Sequence, residues 1–184
     1  MIQVTPLALP DVKLVTFHRH EDARGHFVET YSAVAFAAAG LPTAWAQDNE
    51  AASASAGTIR GLHFQAPPQA QAKLVRVVSG RILDVAVDVR RASPSYGRHV
   101  AVALSADRSE ALYIPEGFAH GYCTLSLDAV VHYKVSRPYA PETERALLWC
   151  DPDLAIAWPV ATDQALISAR DAAASPLVAL DSGF

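Results

Sequence analysis

The chain has 184 residues, of which 51% are hydrophobic and 18% are charged, and this composition is typical of one globular domain with a full core. Its formal net charge of −4 excludes the general basic surface of a nucleic-acid-binding protein, so an anionic ligand has to be held by local Arg or Lys side chains. No apolar run is long enough to span a bilayer, which predicts that the chain does not insert into a membrane.

The termini and the cysteines add two further expectations. Met1–Val4 lacks the basic start and the long apolar stretch of a signal peptide, so we expect a cytoplasmic protein. Cys123 and Cys150 do not have the spacing of zinc ligands, and in a reducing compartment they are expected to remain free thiols. No internal repeat or Gly/Ser linker divides the chain, so residues 1–184 are predicted to form a single domain.

The first predicted element is a short helix. Ser32 is a suitable N-cap, and the alanine-rich stretch after it continues to Ala39. Gly40 is typical of a helix C-terminus, and Pro42 just beyond it cannot continue the helix.

Beyond this helix the sequence turns to short β-type runs separated by turn-forming residues, which predicts an all-β sandwich or barrel with antiparallel strands. We expect a hairpin turn at Ser79-Gly80 and a longer loop over Arg91–Gly97. From Pro152 onward we expect irregular coil, with a short helix around Asp163–Ala169 packed outside the barrel. The predicted strands are Thr58–Phe64, Lys73–Val78, Arg81–Val89, His99–Leu104 and Ala129–Val135.

Two of these strands carry a polar side chain on an apolar face. The period of two places Lys73 on the same face as Val75, and Tyr133 on the same face as Val131 and Val135. A polar group that points inward needs a partner, and in a barrel a ligand can supply it. The alternative for Tyr133 is a core tyrosine whose hydroxyl is satisfied within the protein.

Arg60 and His63 flank Gly61 within a β-type run. Strict alternation would place the two side chains on opposite faces, whereas a bulge at Gly61 would bring them to one side. A lone strand histidine is more often structural than catalytic, so the catalytic reading of His63 depends on a carboxylate that can orient it.

A metal-binding cupin is the competing reading, because such proteins use a closely spaced His-x-His with a later Glu and a further His. Here Phe64-Gln65 follows His63, and His120 is also solitary. A two-histidine site formed by His63 and His120 is the remaining alternative, but it would lack the ligand cluster of a strong metal motif, so no metal site is predicted. The Gly-x-Gly-x-x-Gly fingerprint, the phosphate-binding Gly-Lys-Ser/Thr loop and the Gly-x-Ser-x-Gly elbow are absent from the sequence, which argues against dinucleotide redox chemistry and serine hydrolysis.

Taken together, these segments resemble the dTDP-4-dehydrorhamnose 3,5-epimerase family. The similarity runs in order over nearly the whole chain. Its motifs are Asp22-Ala23-Arg24-Gly25-His26-Phe27, Gln47-Asp48-Asn49, Arg60-Gly61-Leu62-His63-Phe64-Gln65, Lys73-Leu74-Val75-Arg76-Val77, Tyr113-Ile114-Pro115-Glu116-Gly117-Phe118-Ala119-His120-Gly121, Tyr133-Lys134, Tyr139-Ala140-Pro141-Glu142-Thr143-Glu144-Arg145, Asp151-Pro152 and Trp158-Pro159.

The resemblance implies a cupin-type jelly roll, with a few short peripheral helices, that epimerises a nucleotide-linked 4-keto-6-deoxyhexose without a metal or other cofactor. It implies that His63 is the general base, Tyr133 the general acid, Asp171 the carboxylate paired with the base, and Lys73 the residue near the keto oxygen. It also implies a homodimer in which N-terminal residues complete the neighbour's site. The implied substrate contacts are Arg24, Phe27, Glu29, Gln47, Asp48, Asn49, Arg60, His120, Glu144 and Arg170.

This chain departs from the family pattern at two places. Ser136-Arg137-Pro138-Tyr139 stands where Thr-Asp-Tyr-Tyr is common, so a proline replaces an aromatic that can lie along the nucleotide or the sugar. Glu50 stands where a histidine is usual. The expected reaction is 3,5-epimerisation of dTDP-4-dehydro-6-deoxy-D-glucose to dTDP-4-dehydro-L-rhamnose. The alternatives are an epimerase of a related nucleotide deoxysugar that inverts only C3 or only C5, and a non-catalytic cupin that binds a sugar nucleotide.

Overall fold

The computed structural model describes residues 2–184, which form thirteen strands and two short α-helices. The strands before the first helix are β1 Ile2–Pro6, β2 Lys13–Phe17, β3 Arg19–Asp22 and β4 Gly25–Val28. Those after it are β5 Gln47–Ser53, β6 Ile59–Gln65, β7 Lys73–Ser79, β8 Arg81–Asp88, β9 His99–Ser105, β10 Glu110–Ile114, β11 Phe118–Thr124, β12 Ala129–Val135 and β13 Glu144–Ala146. The helices are α1 Ala33–Ala38 and α2 Ala169–Ala172.

Two antiparallel sheets and a separate hairpin make up the β-structure. One sheet has six strands in the order β1-β2-β10-β7-β12-β5, and the other has five in the order β13-β6-β11-β8-β9. Strands β3 and β4 pair only with each other. The prediction of an all-β, antiparallel protein is confirmed, and the predicted strand Ala129–Val135 matches β12 residue for residue.

The main core lies between the two sheets, and the alternation of side chains along the strands builds it. Val75 and Val131 point inward from the six-stranded sheet, and Ile82 and Phe118 meet them from the five-stranded sheet. The opposite faces are covered as well. Phe36 of α1 belongs to the cluster on the outer face of the six-stranded sheet, and residues of the C-terminal tail cover the other sheet, including Leu154, Leu177, Leu180 and Phe184.

The predicted early helix is confirmed as α1. The Ser32 hydroxyl accepts a hydrogen bond from the Ala35 backbone N–H at 3.4 Å, as an N-cap does. Gly40 follows with φ +68°, a left-handed conformation that glycine adopts easily. Neither α1 nor any other helix within residues 2–184 is long and apolar enough to cross a membrane.

The expected hairpin at Ser79-Gly80 is wrong. The turn is present, with Gly80 at φ +74°, but β7 and β8 belong to different sheets and do not pair with each other. Gly80 passes the chain from one sheet to the other, and the turn is held by distant partners. Arg81 N–H donates to the Ser126 hydroxyl at 3.0 Å, and Ala106 N–H donates to the Gly80 carbonyl at 3.1 Å.

The helix expected around Asp163–Ala169 is also wrong. That segment contains a turn and an extended stretch instead, because Leu166 forms a parallel bridge with Thr58. Its N–H donates to the Gly57 carbonyl at 3.0 Å, and its carbonyl accepts from Ile59 N–H at 2.8 Å. The backbone groups that a helix would use are therefore engaged with the five-stranded sheet, and the helix begins later, at Ala169.

A bulge interrupts β6 at the predicted place. His63 lies opposite His120 and Arg60 lies opposite Tyr122, so β6 has one more residue than β11 between these two pairs. Gly61 in the bulge has φ +121°, and a Cβ atom there would lie 2.6 Å from the Gly121 Cα. Only glycine fits this position without displacing β11.

We therefore expect Gly61→Ala to lower the free energy of unfolding by at least about 2 kcal/mol, the combined effect of a strained backbone conformation and of overpacking. Urea unfolding followed by circular dichroism measures this loss. Gly25→Ala is the matched control, since Gly25 has a similar φ of +127° but no atom within 4 Å of a built Cβ. Equal losses in the two variants would contradict the close-packing argument.

Candidate active site

A cavity of about 590 Å³ lies between the two sheets, and residues of the C-terminal tail form part of its wall. A second cavity of about 320 Å³ adjoins it, and His63, Lys73 and Tyr133 line both. The five-stranded sheet contributes His63, whereas the six-stranded sheet contributes Lys73 and Tyr133. A ligand between the sheets therefore has the imidazole on one side and the amine and phenol on the other.

His63 is held by a carboxylate from the tail. Its Nε2 lies 2.7 Å from Asp171 Oδ1, and the second oxygen of Asp171 accepts a hydrogen bond from Gly61 N–H at 3.1 Å. Since a carboxylate only accepts, the Nε2–H of neutral His63 donates to it and leaves the lone pair on Nδ1. Burial lowers the pKa of His63 and the bond to Asp171 opposes this without reversing it, so the ring is neutral at pH 7.

Helix α2 positions Asp171. Ser168 caps the helix by accepting a hydrogen bond from Asp171 N–H at 3.1 Å, and the Asp171 side chain is buried. The bond between Asp171 and His63 spans 108 residues and joins the tail to the bulge of β6.

Lys73 is a buried cation in the wall of the cavity. Its Nζ donates to the His63 backbone carbonyl at 3.0 Å, across the space between the sheets. Burial lowers the pKa of Lys73 to about 8, although the charges of Asp84 and Glu144 oppose the shift. The amine is therefore mostly protonated at pH 7, and it can stabilise negative charge that develops beside it.

Tyr133 and Arg60 line the same cavity. Burial raises the pKa of Tyr133 and the charge of Arg60 acts against that rise, so the phenol is protonated at neutral pH. The Arg60 guanidinium is fixed by strand β5, because Nε donates to the Ser53 hydroxyl at 3.1 Å and Nη2 donates to the Ala52 carbonyl at 2.9 Å.

A second His–Asp pair lies beside the first. His120 is the register partner of His63, and its Nε2 lies 2.6 Å from the Oδ1 of Asp84, a carboxylate with no exposed surface. Each of the two rings is thus held by its own aspartate. Among residues 2–184, no group of three His, Cys, Asp or Glu side chains is placed to hold a metal ion.

Glu144 forms the centre of a polar cluster at the edge of the second cavity. It accepts a hydrogen bond from the Tyr139 hydroxyl at 2.6 Å and forms an ion pair with Arg170. Burial opposes ionisation of Glu144, but these two contacts outweigh it and lower the pKa of the carboxyl group. Gln47 and Asn49 line the same cavity, and the Gln47 side chain also accepts from Tyr139 N–H at 3.1 Å.

Four of the predicted substrate contacts lie outside the walls of these two cavities. Asp48 points to the other face of β5 and pairs with Lys134. Arg24 and Phe27 lie on the β3–β4 hairpin, where Arg24 pairs with Asp22, and Glu29 follows the hairpin directly. One copy of the chain therefore does not bring these four side chains to His63.

Two residues in or beside the candidate site were not found from the sequence. Asp84 stands alone in the apolar run Ile82-Leu83-Asp84-Val85-Ala86, and the period of two that places Ile82 in the core also places Asp84 there. Tyr122 is two residues after His120 and faces the same way. A buried carboxylate within an apolar strand was the signal for Asp84, since such a group needs a partner.

Comparisons with known proteins agree with this architecture. A sequence profile described as dTDP-4-dehydrorhamnose 3,5-epimerase matches residues 6–179. The dTDP-4-dehydrorhamnose 3,5-epimerase of Sinorhizobium fredii is 44% identical over 178 residues, which cover 97% of this chain and 91% of that protein. A dTDP-4-dehydrorhamnose 3-epimerase of Streptomyces niveus is 39% identical, with 92% and 81% covered.

The solved structures extend the similarity to three dimensions. The dTDP-6-deoxy-D-glucose-3,5-epimerase of Legionella pneumophila, in complex with dTDP-4-keto-L-rhamnose, superimposes with a TM-score of 0.93 at 38% identity and covers 98% of this chain and 95% of that one. The cupin-like jelly roll is thereby confirmed. With matching sequence, fold and chain length, the protein belongs to the dTDP-4-dehydrorhamnose 3,5-epimerase family.

Proposed function

We propose that this protein is an isomerase that converts dTDP-4-dehydro-6-deoxy-D-glucose to dTDP-4-dehydro-L-rhamnose by inverting C3 and C5. The observation that carries the proposal is the division of His63 and Tyr133 between the two facing sheets, with Lys73 beside them. Inversion of a carbon by proton transfer needs a base on one side of the ring and an acid on the other, and this cavity has that arrangement.

The first step is removal of a proton next to the C4 ketone. His63 Nδ1 takes the hydrogen from C3 or C5, and the electrons of the C–H bond form a C=C bond while those of the C=O bond move to oxygen, giving an enolate. Asp171 stabilises the imidazolium that results, because it accepts the Nε2–H bond. Lys73 stabilises the enolate oxygen by placing its ammonium group where the negative charge develops.

The second step returns a proton to the opposite face. Tyr133 donates its hydroxyl proton to the enolate carbon, which restores the ketone and inverts the carbon. Arg60 stabilises the tyrosinate, and Tyr133 then regains a proton as His63 loses its own to solvent. The two groups are returned to their starting states, so the same pair can act on the second carbon.

The residues around the pair supply the contacts of the nucleotide sugar. Arg60 and Arg170, which both line the main cavity, provide guanidinium groups that match phosphate oxygens. Glu144 and His120 provide further polar contacts. Gln47 and Asn49 line the second cavity. We therefore assign them to the part of the substrate that enters this cavity.

The deciding experiment is incubation with dTDP-4-dehydro-6-deoxy-D-glucose in deuterium oxide, followed by NMR at C3 and C5. Deuterium at both carbons with inverted configuration supports the 3,5-epimerase. Deuterium at one carbon identifies a restricted epimerase instead, and none at either carbon, together with measurable binding, identifies a sugar-nucleotide-binding cupin.

The restricted epimerase is the second candidate because of the segment around Pro138. The Pro138 carbonyl accepts hydrogen bonds from Gln65 Nε2 at 3.3 Å and from Gln71 Nε2 at 3.2 Å, so two of the glutamine side chains that line the second cavity hold this turn. A proline has no planar side chain to lie along the substrate. If the substrate is held less firmly because this aromatic side chain is absent, the rate of the second inversion should fall more than the rate of the first.

We further propose that a second copy of the chain completes the site with its β3–β4 hairpin. Phe27 on this hairpin has 70% of its surface exposed, and two isolated strands are only marginally stable without a packing partner. Arg24 and Glu29 would reach the neighbouring cavity in such a homodimer.

Subunit complementation tests this arrangement. Arg24→Ala and His63→Ala homodimers should both be inactive, whereas a mixture that exchanges subunits should regain about one quarter of the wild-type sites, because each mixed dimer has one intact site. A monomeric elution volume, or a mixture as inactive as its components, would contradict the shared site.

The cavity also predicts a bell-shaped dependence of kcat/KM on pH. The base form of His63 is lost as pH falls through its pKa, which lies below the ordinary 6.5, so the acidic limb lies below pH 6.5. The ammonium of Lys73 is lost as pH rises through about 8, which gives the alkaline limb. Lys73→Met should lower kcat by about 10²- to 10³-fold and remove that limb. Lys134→Met, at an exposed ion pair with Asp48, is the control that should keep it.

A further inference from the structure

Helix α2 carries the carboxylate that holds His63, yet it is a single turn of four residues. A helix this short does not keep its own shape in water, so its geometry depends on contacts around it. Two parallel bridges anchor the segment, with Leu166 joined to Thr58 before the helix and Ser175 joined to Leu147 after it. The bridges fix where the segment lies, and the bonds within the segment decide how its one turn is oriented.

The segment Ser168-Ala169-Arg170-Asp171 has the pattern of a capping box, in which each end residue bonds to the backbone N–H of the other. One half of the box is formed, since the Ser168 hydroxyl accepts from Asp171 N–H at 3.1 Å. The carboxylate turns to β6 instead. Its Oδ2 accepts from Gly61 N–H at 3.1 Å, and its Oδ1 lies 2.7 Å from His63 Nε2. The group that would close the box is therefore engaged with the base.

The Ser168 cap acts on the residue that carries this carboxylate. An aspartate has one methylene between its backbone and its carboxylate, so the two oxygens move when the backbone moves. Ser168 holds the Asp171 backbone from one side, and Gly61 and His63 hold the carboxylate from the other. A shift of about 1 Å in a group that supports catalysis can lower a rate by about 10². A change at Ser168 would therefore reach His63 through Asp171.

We propose that Ser168 is a positioning residue for the proton transfer, because its hydroxyl fixes the backbone of Asp171 and thereby the orientation of His63. The proposal rests on the proposed function, in which His63 is the base. Ser168 also lines the main cavity, so a direct contact with the substrate is the competing role. The two roles differ in what they do to the protein without substrate.

The pKa of His63 reports where the carboxylate lies. Burial lowers this pKa, and the hydrogen bond and the charge of Asp171 raise it. A weaker bond to Asp171 therefore lowers the pKa further. A serine variant keeps the other titratable groups around the ring, which are Lys73 of β7, His120 of β11, Tyr133 of β12 and Glu144 of β13.

Ser168→Ala removes the cap oxygen. We expect kcat to fall about five- to tenfold, which corresponds to the loss of one N-cap, and KM to stay the same. The acidic limb of kcat/KM should move to lower pH, because the base form of His63 persists to lower pH. Ser168→Thr keeps a cap oxygen and should restore both kcat and the limb. Ser32→Ala is the matched control, since it removes the same kind of cap from α1, on the outer face of the six-stranded sheet, and should change neither.

NMR of the histidine ring nitrogens completes the test in the free protein, and circular dichroism checks that each variant is folded. Ser168→Ala should lower the pKa of His63, whereas Ser32→Ala should leave it unchanged. Wild-type values of this pKa and of kcat in Ser168→Ala would overturn the proposal. A raised KM with an unchanged pKa of His63 would also overturn it, because Ser168 would then contact the substrate directly.

The NMR titration separates the proposal from the proposed function. A lowered pKa of His63 in Ser168→Ala, together with a wild-type protein that exchanges no deuterium, would uphold the link from Ser168 to His63 and would count against the proposed function alone.

Discussion

Replacement of His63 with alanine is expected to abolish deuterium exchange at both C3 and C5 and to lower kcat/KM by about 10²- to 10⁴-fold. The reason is that Nδ1 of His63 is the only basic atom in our mechanism that removes hydrogen from carbon. Asp171→Asn should give a smaller loss, since the ring keeps its place but loses the charge that stabilises the imidazolium.

NMR in deuterium oxide measures the exchange at C3 and C5 in these variants. Calorimetry of dTDP binding checks that the part of the site that holds the nucleotide is intact. His63→Ala should bind dTDP as the wild-type protein does. His132→Ala is the control, because His132 is a half-exposed residue of β12 whose ring pairs with Glu50 and lines neither of the two cavities beside His63. Exchange at wild-type rate in His63→Ala would mean that another group is the base.

Tyr133→Phe should separate exchange from inversion. Without the phenol the enolate can still form at His63 and recapture a proton or deuteron from the same side, so the carbon exchanges but keeps its configuration. We expect product formation to fall by about 10²- to 10⁴-fold while solvent deuterium continues to enter the unreacted substrate.

NMR of the recovered substrate and product measures both quantities in one sample. Tyr96→Phe, in the loop between β8 and β9, changes a tyrosine that lines neither cavity and should leave both rates unchanged. Loss of exchange together with inversion in Tyr133→Phe would indicate that the phenol is needed already for enolate formation. Retention of full inversion would exclude Tyr133 as the acid.

The sequence was informative where local chemistry decides the structure. The bulge at Gly61 was predictable because a glycine inside a strand often marks a break in regular pairing, and the helix after Ser32 was predictable from its cap. The pairing of strands that are distant in the sequence was harder to predict. Ser79-Gly80 has the composition of a hairpin turn, but only the pairing of β7 with β10 and β12 reveals that it joins two sheets.

The early strands and the C-terminal tail were also not predicted correctly from local sequence. Strand β3 is polar and both β3 and β4 are largely exposed, so they lack the alternation that identifies a half-buried strand. In the tail, the local sequence was compatible with a helix, and the bridge between Leu166 and Thr58 decided otherwise. For the site, resemblance supplied Asp171 as the partner of His63, since no local pattern links positions 108 residues apart.

The long reach from Asp171 to His63 has a consequence for the order in which the protein matures. Both sheets are complete by β13, which ends at Ala146, whereas Asp171 lies further along the chain and is synthesised after them. A chain whose sheets have formed before its tail has docked holds a cavity without an oriented base. In our mechanism the base is therefore oriented for proton transfer only when α2 docks beside β6, after the strands that line the cavity have been synthesised.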